Sequence, residues 1–165
     1  MKTLYLVRHA KSSWKYPGLD DFERPLNNRG RRNAISTGEF FNKIKASPDL
    51  IISSPATRAA MTSRIIAAAI DYPFERIQYV ETIYSSGIEA LLHIAGNISD
   101  EIKEAMLIGH NPVFTDFANY ISNQRIDNIP TGGVFCVELE ISSWSKIAKN
   151  RGVLKFFKVP ENHAS

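Results

Sequence analysis

Continuous apolar runs recur along the chain and predict its β-strands. Runs that are short and rich in Leu, Ile and Val are typical of strands buried on both faces of a sheet. In chain order they are TLYLVR (3–8), LIISS (50–54), IQYV (77–80) and AMLIG (105–109). After a Gly-Gly turn, VFCVELE (134–140) and VLKFFKV (153–159) predict two later strands that pair antiparallel with their neighbours.

Between these runs, apolar residues recur with the spacing of helices that bury one face. Helices are predicted over 27–44, 56–70, 87–96 and 113–122. Asn27 or Asn28 can cap the first helix, and Pro55 is suited to the first turn of the second. Asn111 as N-cap, with Pro112 at the first helical position, predicts where the last helix begins. Each predicted helix therefore follows a predicted strand.

The alternation of strands and helices predicts an α/β fold. Because the apolar runs are continuous, we expect three layers, α/β/α, with a mostly parallel central sheet between the helices. The sequence contains no internal repeat, low-complexity tract or Gly/Ser linker, so residues 1–165 are predicted to form a single domain. In such folds, ligands bind beyond the carboxyl ends of the strands. Residues that directly follow a strand are therefore candidates for a functional site.

Cationic and imidazole side chains follow three of the predicted strands. Arg8 and His9 come at the end of the first strand, and Arg58 lies just beyond the second; His110 follows AMLIG. We expect these side chains to lie together at one edge of the sheet. Such a cluster predicts a site for an anion with several oxygens, since a guanidinium binds phosphate through two parallel hydrogen bonds. A neutral histidine is also a nucleophile toward phosphorus, and positive surroundings keep it unprotonated. Because the two histidines lack zinc-ligand spacing, we expect neither a metal nor a cofactor.

Composition narrows the classes of partner. Lys and Arg number 20 against 17 Asp and Glu, which gives a net charge of +3. This excess fits a positively charged site entrance that attracts small anions. The sequence lacks the basic stripe interleaved with aromatic residues that would predict a nucleic-acid partner. No apolar run approaches a membrane span, and the N-terminal residues do not have the pattern of a signal peptide. The single cysteine, Cys136, agrees with a reducing compartment, so we expect a cytoplasmic protein.

Three short segments together resemble a known family. The segments LVRHAKSSW, SSPATRA and IGHNP resemble, in order and spacing, the three sequence blocks of the histidine phosphatase superfamily, which includes phosphoglycerate mutases and acid phosphatases. The compact length and the segment RPLNNRG are similar to SixA-type phosphohistidine phosphatases. The resemblance spans Leu4 to about Gly133 and implies a phosphoglycerate mutase-like fold.

The resemblance also implies a role for each matching residue. His9 would be the nucleophile that becomes phosphorylated, and Arg8 and Arg58 would bind the phosphoryl oxygens. His110 would donate a hydrogen bond to the same group. Arg24, in the segment ERPLNNRG, is expected to reach the site from the long first loop and to bind substrate.

Glu81 is the candidate general acid, because it follows a strand in the region that often supplies the acid in this family. A surface carboxylate with no role is the equal alternative. The role of Glu81 matters for the substrate, because a phosphoester releases a strongly basic alkoxide. Protonation of that alkoxide increases the rate by orders of magnitude. A phosphohistidine releases imidazole, whose pKa is about 6.5, so it depends less on an acid.

These observations predict a metal-independent phosphatase that forms a phosphohistidine intermediate on His9 and acts on phosphohistidine of a partner protein. Two alternatives remain, a small-molecule phosphomonoesterase and a non-catalytic phosphate-binding module. Ala10 and Lys11 stand where mutases often carry Gly-Glu, which favours a phosphatase over a mutase. Trp14 either stacks on substrate or packs down the long first loop, and we expect the second role.

Overall fold

The computed structural model describes residues 1–160, so His163 lies outside the described residues. Six strands form one sheet: β1 (Lys2–Arg8), β2 (Leu50–Ser53), β3 (Gln78–Tyr79), β4 (Glu104–Gly109), β5 (Val134–Leu139) and β6 (Gly152–Lys158). Their order is β3-β2-β4-β1-β5-β6, with parallel pairing from β3 to β1. β5 is antiparallel to β1, and β6 is antiparallel to β5. The mostly parallel sheet and the antiparallel late strands are confirmed.

The helices are α1 (Asn28–Lys43), α2 (Thr57–Ala69), α3 (Thr82–Ser85), α4 (Ile88–Gly96) and α5 (Val113–Ile121). Asn27 caps α1 as predicted, since its Oδ1 accepts a hydrogen bond of 2.7 Å from the backbone N–H of Gly30. The short helix α3 was not predicted. Within residues 1–160, no helix is both long and apolar enough to cross a membrane.

Two helix starts differ from the prediction. Pro55 precedes α2 and lies outside its first turn, because the Ser54 side chain accepts the Ala56 N–H at 3.1 Å and holds an extended turn there. At α5, Pro112 is the cap residue and Asn111 lies one position earlier. The Asn111 Oδ1 nevertheless accepts the Thr115 N–H at 3.2 Å, so the asparagine still satisfies a donor in the first turn.

Alternate residues of β1 enter two separate apolar cores, which places helices on both faces of the sheet. Leu4 and Leu6 pack in the core that also contains α4 and α5 residues. Tyr5 and Val7 pack in the other core, together with α1 and α2 residues. These contacts confirm the three-layer α/β/α architecture.

The sheet brings the carboxyl ends of β2, β4 and β1 side by side. Arg8 at the end of β1 is in register with Gly109 at the end of β4. The backbone N–H of His9 donates to the Gly109 carbonyl at 3.0 Å, and that of Ser54 donates to Ile108 at 2.9 Å. The residues that follow the three strands therefore meet at one edge.

Candidate active site

A cavity of about 390 Å³ opens at this edge of the sheet. Five of the six predicted site residues contribute to its lining: Arg8, His9, Arg24, Arg58 and His110. His9 and Arg58 are only 7% and 6% exposed, so these polar groups lie largely out of bulk water. The rings of His9 and His110 lie with their centroids 5.1 Å apart. Residues from separate parts of the chain thus share one small, polar chamber.

The His9 ring is held in one protonation state. Its Nδ1 lies 2.7 Å from the carbonyl oxygen of Ala10. Because a carbonyl can only accept a hydrogen bond, Nδ1 carries the ring proton and Nε2 keeps its lone pair. Burial, followed by the nearby His110, Arg58 and Arg8, holds the pKa of His9 well below its usual value. At neutral pH the ring is therefore neutral, with a lone pair available for attack.

In His110 the ring nitrogen that is bonded to the protein is Nε2, whereas in His9 it is Nδ1. Its Nε2 lies 2.7 Å from the hydroxyl of the fully buried Ser54. That hydroxyl already accepts the Ala56 N–H, and within residues 1–160 its proton has only the His110 Nε2 to bind. Because buried hydroxyl protons are normally bonded, Ser54 donates to Nε2, and Nδ1 therefore carries the His110 proton. Burial, reinforced by Arg58, lowers the pKa of His110 to about 4, so this ring is also neutral.

Three buried side-chain nitrogens have no hydrogen-bond partner among residues 1–160: Arg8 Nε, Arg58 Nε and His110 Nδ1. All three belong to residues that line the same cavity. A buried donor left unsatisfied costs about 1–3 kcal/mol, so such groups are rare in native proteins. Burial and the charge of Arg58 also lower the pKa of Arg8. A multi-oxygen anion bound in this cavity would offset the repulsion between the guanidinium groups.

Asp21 is a site residue that the sequence analysis missed. Its Oδ1 accepts from Arg24 at 2.8 Å, and its Oδ2 accepts from Arg58 and from the Tyr84 hydroxyl at 2.9 Å each. Partial burial acts to raise the pKa of Asp21, but hydrogen bonds from Arg24, Arg58 and Tyr84 outweigh it and lower that pKa. One carboxylate thus connects the first loop, α2 and α3. The only signal in the sequence was an acid three positions before Arg24.

Comparison with known proteins agrees with the geometry. The family model described as histidine phosphatase superfamily (branch 1) matches residues 4–83, which include Arg8, His9 and Arg58. By this match, the chain resembles the histidine phosphatase superfamily over its N-terminal half. An uncharacterized chloroplastic protein of Arabidopsis thaliana is 31% identical to this chain over 133 residues. That alignment covers 76% of this chain but only 61% of the plant protein.

Solved structures of SixA-type proteins have the same fold. A candidate phosphohistidine phosphatase SixA from Agrobacterium tumefaciens superposes with a TM-score of 0.82 at 27% identity, over 96% of this chain and 98% of that one. The protein histidine phosphatase SixA complexed with tungstate gives a TM-score of 0.82 at 14% identity, over 95% and 96% of the two chains. The phosphoglycerate mutase-like fold expected from the sequence is therefore confirmed.

Within this cavity, Arg24 is directed mainly toward its own loop. Its Nη1 donates to the Ser12 hydroxyl at 2.6 Å, while Nε and Nη2 donate to Asp21. Its guanidinium carbon also lies 3.6 Å from the centroid of the Trp14 ring. Trp14 therefore contacts the first loop through Arg24, but the loop does not bury it, since this side chain is 78% exposed and also lines the cavity. Arg24 and Trp14 together form one wall of the site.

Glu81 lies at the N-cap position of α3, outside the cavity lining, and its carboxylate accepts from the Ser85 hydroxyl at 2.9 Å. Its role as general acid stays a prediction. The same helix brings the Tyr84 ring against His110, with centroids 5.4 Å apart. Over residues 1–160, no carboxylate contributes to the cavity lining, and no group of three or more His, Cys, Asp or Glu is placed to hold a metal ion.

Proposed function

We propose that this protein is a metal-independent phosphatase that forms a covalent phosphohistidine on His9 and acts on phosphohistidine of a partner protein. The observation that carries the proposal is that Arg8, Arg58 and His110, each with an unpartnered donor, line one cavity with His9, whose Nδ1 is bonded to the protein. Three donors from three chain segments suit the oxygens of one phosphoryl group. A nucleophilic nitrogen beside them supplies the first chemical step.

In the first step, phosphoryl oxygens accept hydrogen bonds from the three donors, and Nε2 of His9 attacks phosphorus in line with the bond to the leaving group. The P–Nε2 bond forms as the bond to the leaving nitrogen breaks, and the electron pair of that bond departs with the substrate imidazole, which leaves as the neutral ring because its other nitrogen carries a proton. In the second step, water attacks the phosphorus, the P–Nε2 electron pair returns to His9, and inorganic phosphate leaves. The water releases its proton to solvent.

Electrostatics support both steps without a metal. The two guanidinium groups stabilise charge on the equatorial phosphoryl oxygens, which is the main requirement of phosphoryl transfer. The neutral Nδ1–H of His110 adds a donor without adding charge that would protonate His9. In this proposal the protein's own cations do the work that divalent ions do in many other phosphotransfer sites.

The choice of substrate depends on the leaving group. Because no carboxylate contributes to the cavity lining within residues 1–160, the site favours a group that leaves without strong protonation. Imidazole meets this need better than an alkoxide. The SixA-type relative from Agrobacterium tumefaciens is described as acting on phosphohistidine, which supports the same choice. For the alternative, a small phosphoester, we assign proton donation to Glu81.

The proposal extends to the partner and the compartment. A phosphorylated protein is the expected partner, with no role for nucleic acid or membrane. We place the protein in the cytoplasm, where a free thiol stays reduced. Burial raises the pKa of Cys136 to about 12, so this thiol is inert and takes no part in the chemistry.

The test compares hydrolysis of a phosphohistidine protein with hydrolysis of a panel of small phosphoesters. We expect kcat/KM to be highest for the phosphohistidine protein, with no loss after treatment with a chelator. Brief incubation with ³²P-labelled substrate should leave an acid-labile label on the wild-type enzyme. His9→Ala should remove both label and turnover, whereas His93→Ala, which changes an exposed histidine on α4, should remove neither.

Undiminished turnover in His9→Ala would contradict the covalent mechanism. Inhibition by the chelator would contradict metal independence. Higher kcat/KM for a small phosphoester would favour the phosphomonoesterase, and phosphate binding without turnover would favour the non-catalytic module.

A further inference from the structure

Trp14 is a large aromatic side chain with most of its surface in solvent, yet it lines the candidate active site. Its ring contacts the Arg24 guanidinium, whose carbon lies 3.6 Å from the ring centroid. A guanidinium at this distance is attracted to the face of an indole ring. Neither the fold nor the phosphoryl chemistry described above uses this exposed ring.

Arg24, which supports the Trp14 ring, is itself held in place by hydrogen bonds. It is only 8% exposed, and its Nε, Nη1 and Nη2 atoms all donate to protein oxygens on Asp21 or Ser12. Nη1 also lies 3.4 Å from the Ser13 carbonyl. With its donors committed in this way, Arg24 is a fixed support for the indole.

We propose that Trp14 stacks on the imidazole ring of the phosphohistidine substrate and so selects for a flat leaving group. This inference rests on the proposed function and deepens it. The cavity that contains the phosphoryl-binding donors continues to the indole, so a phosphoryl group bound at His9 leaves its leaving group within the same chamber. Aromatic rings attract one another through offset or edge-to-face contact, which a ring-free leaving group cannot make.

Two substrates with the same type of bond separate stacking from phosphoryl transfer. Free phosphohistidine and phosphoramidate both contain a P–N bond, but only phosphohistidine carries a ring. The readout is the ratio of kcat/KM for phosphohistidine to kcat/KM for phosphoramidate, after subtraction of uncatalysed hydrolysis. This ratio does not depend on the fraction of active enzyme, so a poorly folded variant cannot imitate the effect.

We expect Trp14→Ala to lower this ratio by about tenfold, the size of a good aromatic contact. Trp14→Phe should keep most of the ratio, because it keeps a flat ring. The control is Phe74→Ala, which removes a half-exposed aromatic side chain that does not line the cavity and should leave the ratio unchanged.

An unchanged ratio in Trp14→Ala would overturn the stacking proposal while leaving a P–N phosphatase intact. Equal ratios in Trp14→Ala and Phe74→Ala, both lowered, would overturn it as well. If the wild-type enzyme hydrolyses none of the three P–N substrates, which are phosphoramidate, free phosphohistidine and a phosphohistidine protein, the proposed function itself is overturned. A wild-type preference for phenyl phosphate over phosphohistidine would overturn the choice of imidazole as the ring.

Discussion

Both ends of the central sheet bury a cation, but they treat it differently. At the amino end, Lys2 is 4% exposed, and its Nζ donates to the carbonyls of Asp100 at 2.6 Å and Ile102 at 3.0 Å. At the carboxyl end, Arg58 is buried and Arg8 is partly buried, yet each keeps an Nε without a partner within the described chain. The fold satisfies Lys2, whereas it bonds the Nη atoms of the two arginines only in part, to Ile129 and Asp21, and leaves each Nε unbonded. Burial of charge alone therefore does not mark a site, whereas burial with unsatisfied donors does.

The largest effect is expected from Arg58→Ala. It should lower kcat/KM by about 10³-fold, because it removes charge that stabilises the transition state. It should also abolish the rise in melting temperature that inorganic phosphate produces in the wild-type protein. Arg64→Ala, on the exposed face of the same helix, is the matched control and should change neither quantity. Similar losses in both variants would show that the effect comes from α2 and not from the site.

The next effect is on stability at low pH. His110 has a pKa of about 4 in the folded protein against about 6.5 when unfolded, and the pKa of His9 is also lowered. Between pH 6.5 and 4 the unfolded chain binds protons that the folded chain does not. The free energy of unfolding should therefore fall as pH falls, by about 1.4 kcal/mol per pH unit for each histidine.

Urea unfolding at pH 7, 6 and 5 measures this slope, and His110→Gln should reduce it. Asp21, whose pKa is lowered, contributes stability that is lost only below about pH 4, the usual pKa of an aspartate, so it does not affect this window. Equal stability at pH 7 and pH 5 would contradict the assignment of both rings as neutral.

A smaller effect tests the amino end of the sheet. Lys2→Met keeps the length of the side chain but leaves the Asp100 carbonyl without its donor. We expect the free energy of unfolding to fall by about 1–2 kcal/mol, measured in urea, with kcat/KM unchanged. Loss of activity without loss of stability would mean that the two ends of the sheet are not independent.

The smallest effect concerns Ser54, which donates to His110 and so fixes its proton on Nδ1. Ser54→Ala should lower kcat/KM by about tenfold, or 1.4 kcal/mol. In ¹⁵N NMR spectra, the His110 Nε2 should change from a lone-pair-bearing nitrogen toward a protonated one. Ser53→Ala removes an equally buried hydroxyl that bonds the Ser54 and Ala59 carbonyls. This control should leave the His110 spectrum unchanged, and a shift of equal size would contradict the role of Ser54.

The sequence predicted the parts of the site that depend on local pattern. Arg8, His9 and His110 directly follow continuous apolar runs, and a buried strand necessarily delivers the next residue to the edge of the sheet. Arg58 was predictable because it lies in the first turn after the β2 edge. These positions follow from periodicity and parallel pairing alone.

The first loop could not be predicted in the same way. It has no periodicity, and its conformation depends on hydrogen bonds over long separations, such as that between Arg58 and Asp21, 37 positions apart. Asp21 therefore had only the weak local signal of an acid three positions before Arg24, and the exposed face of Trp14 had none. The prediction of where α2 begins failed for a similar reason. The Ser54 hydroxyl accepts the Ala56 N–H, and the position of Pro55 in the sequence does not reveal this hydrogen bond.

The strand order also determines when a nascent chain can acquire the proposed phosphatase activity. β1 ends at residue 8, but its two neighbours in the sheet, β4 and β5, begin at residues 104 and 134. Contacts at such sequence separation form late, because loop closure must come before they are stabilised. A ribosome-bound chain therefore carries His9, the proposed nucleophile, long before it carries a completed chamber. The proposed hydrolysis then requires that the C-terminal third of the polypeptide has emerged and folded.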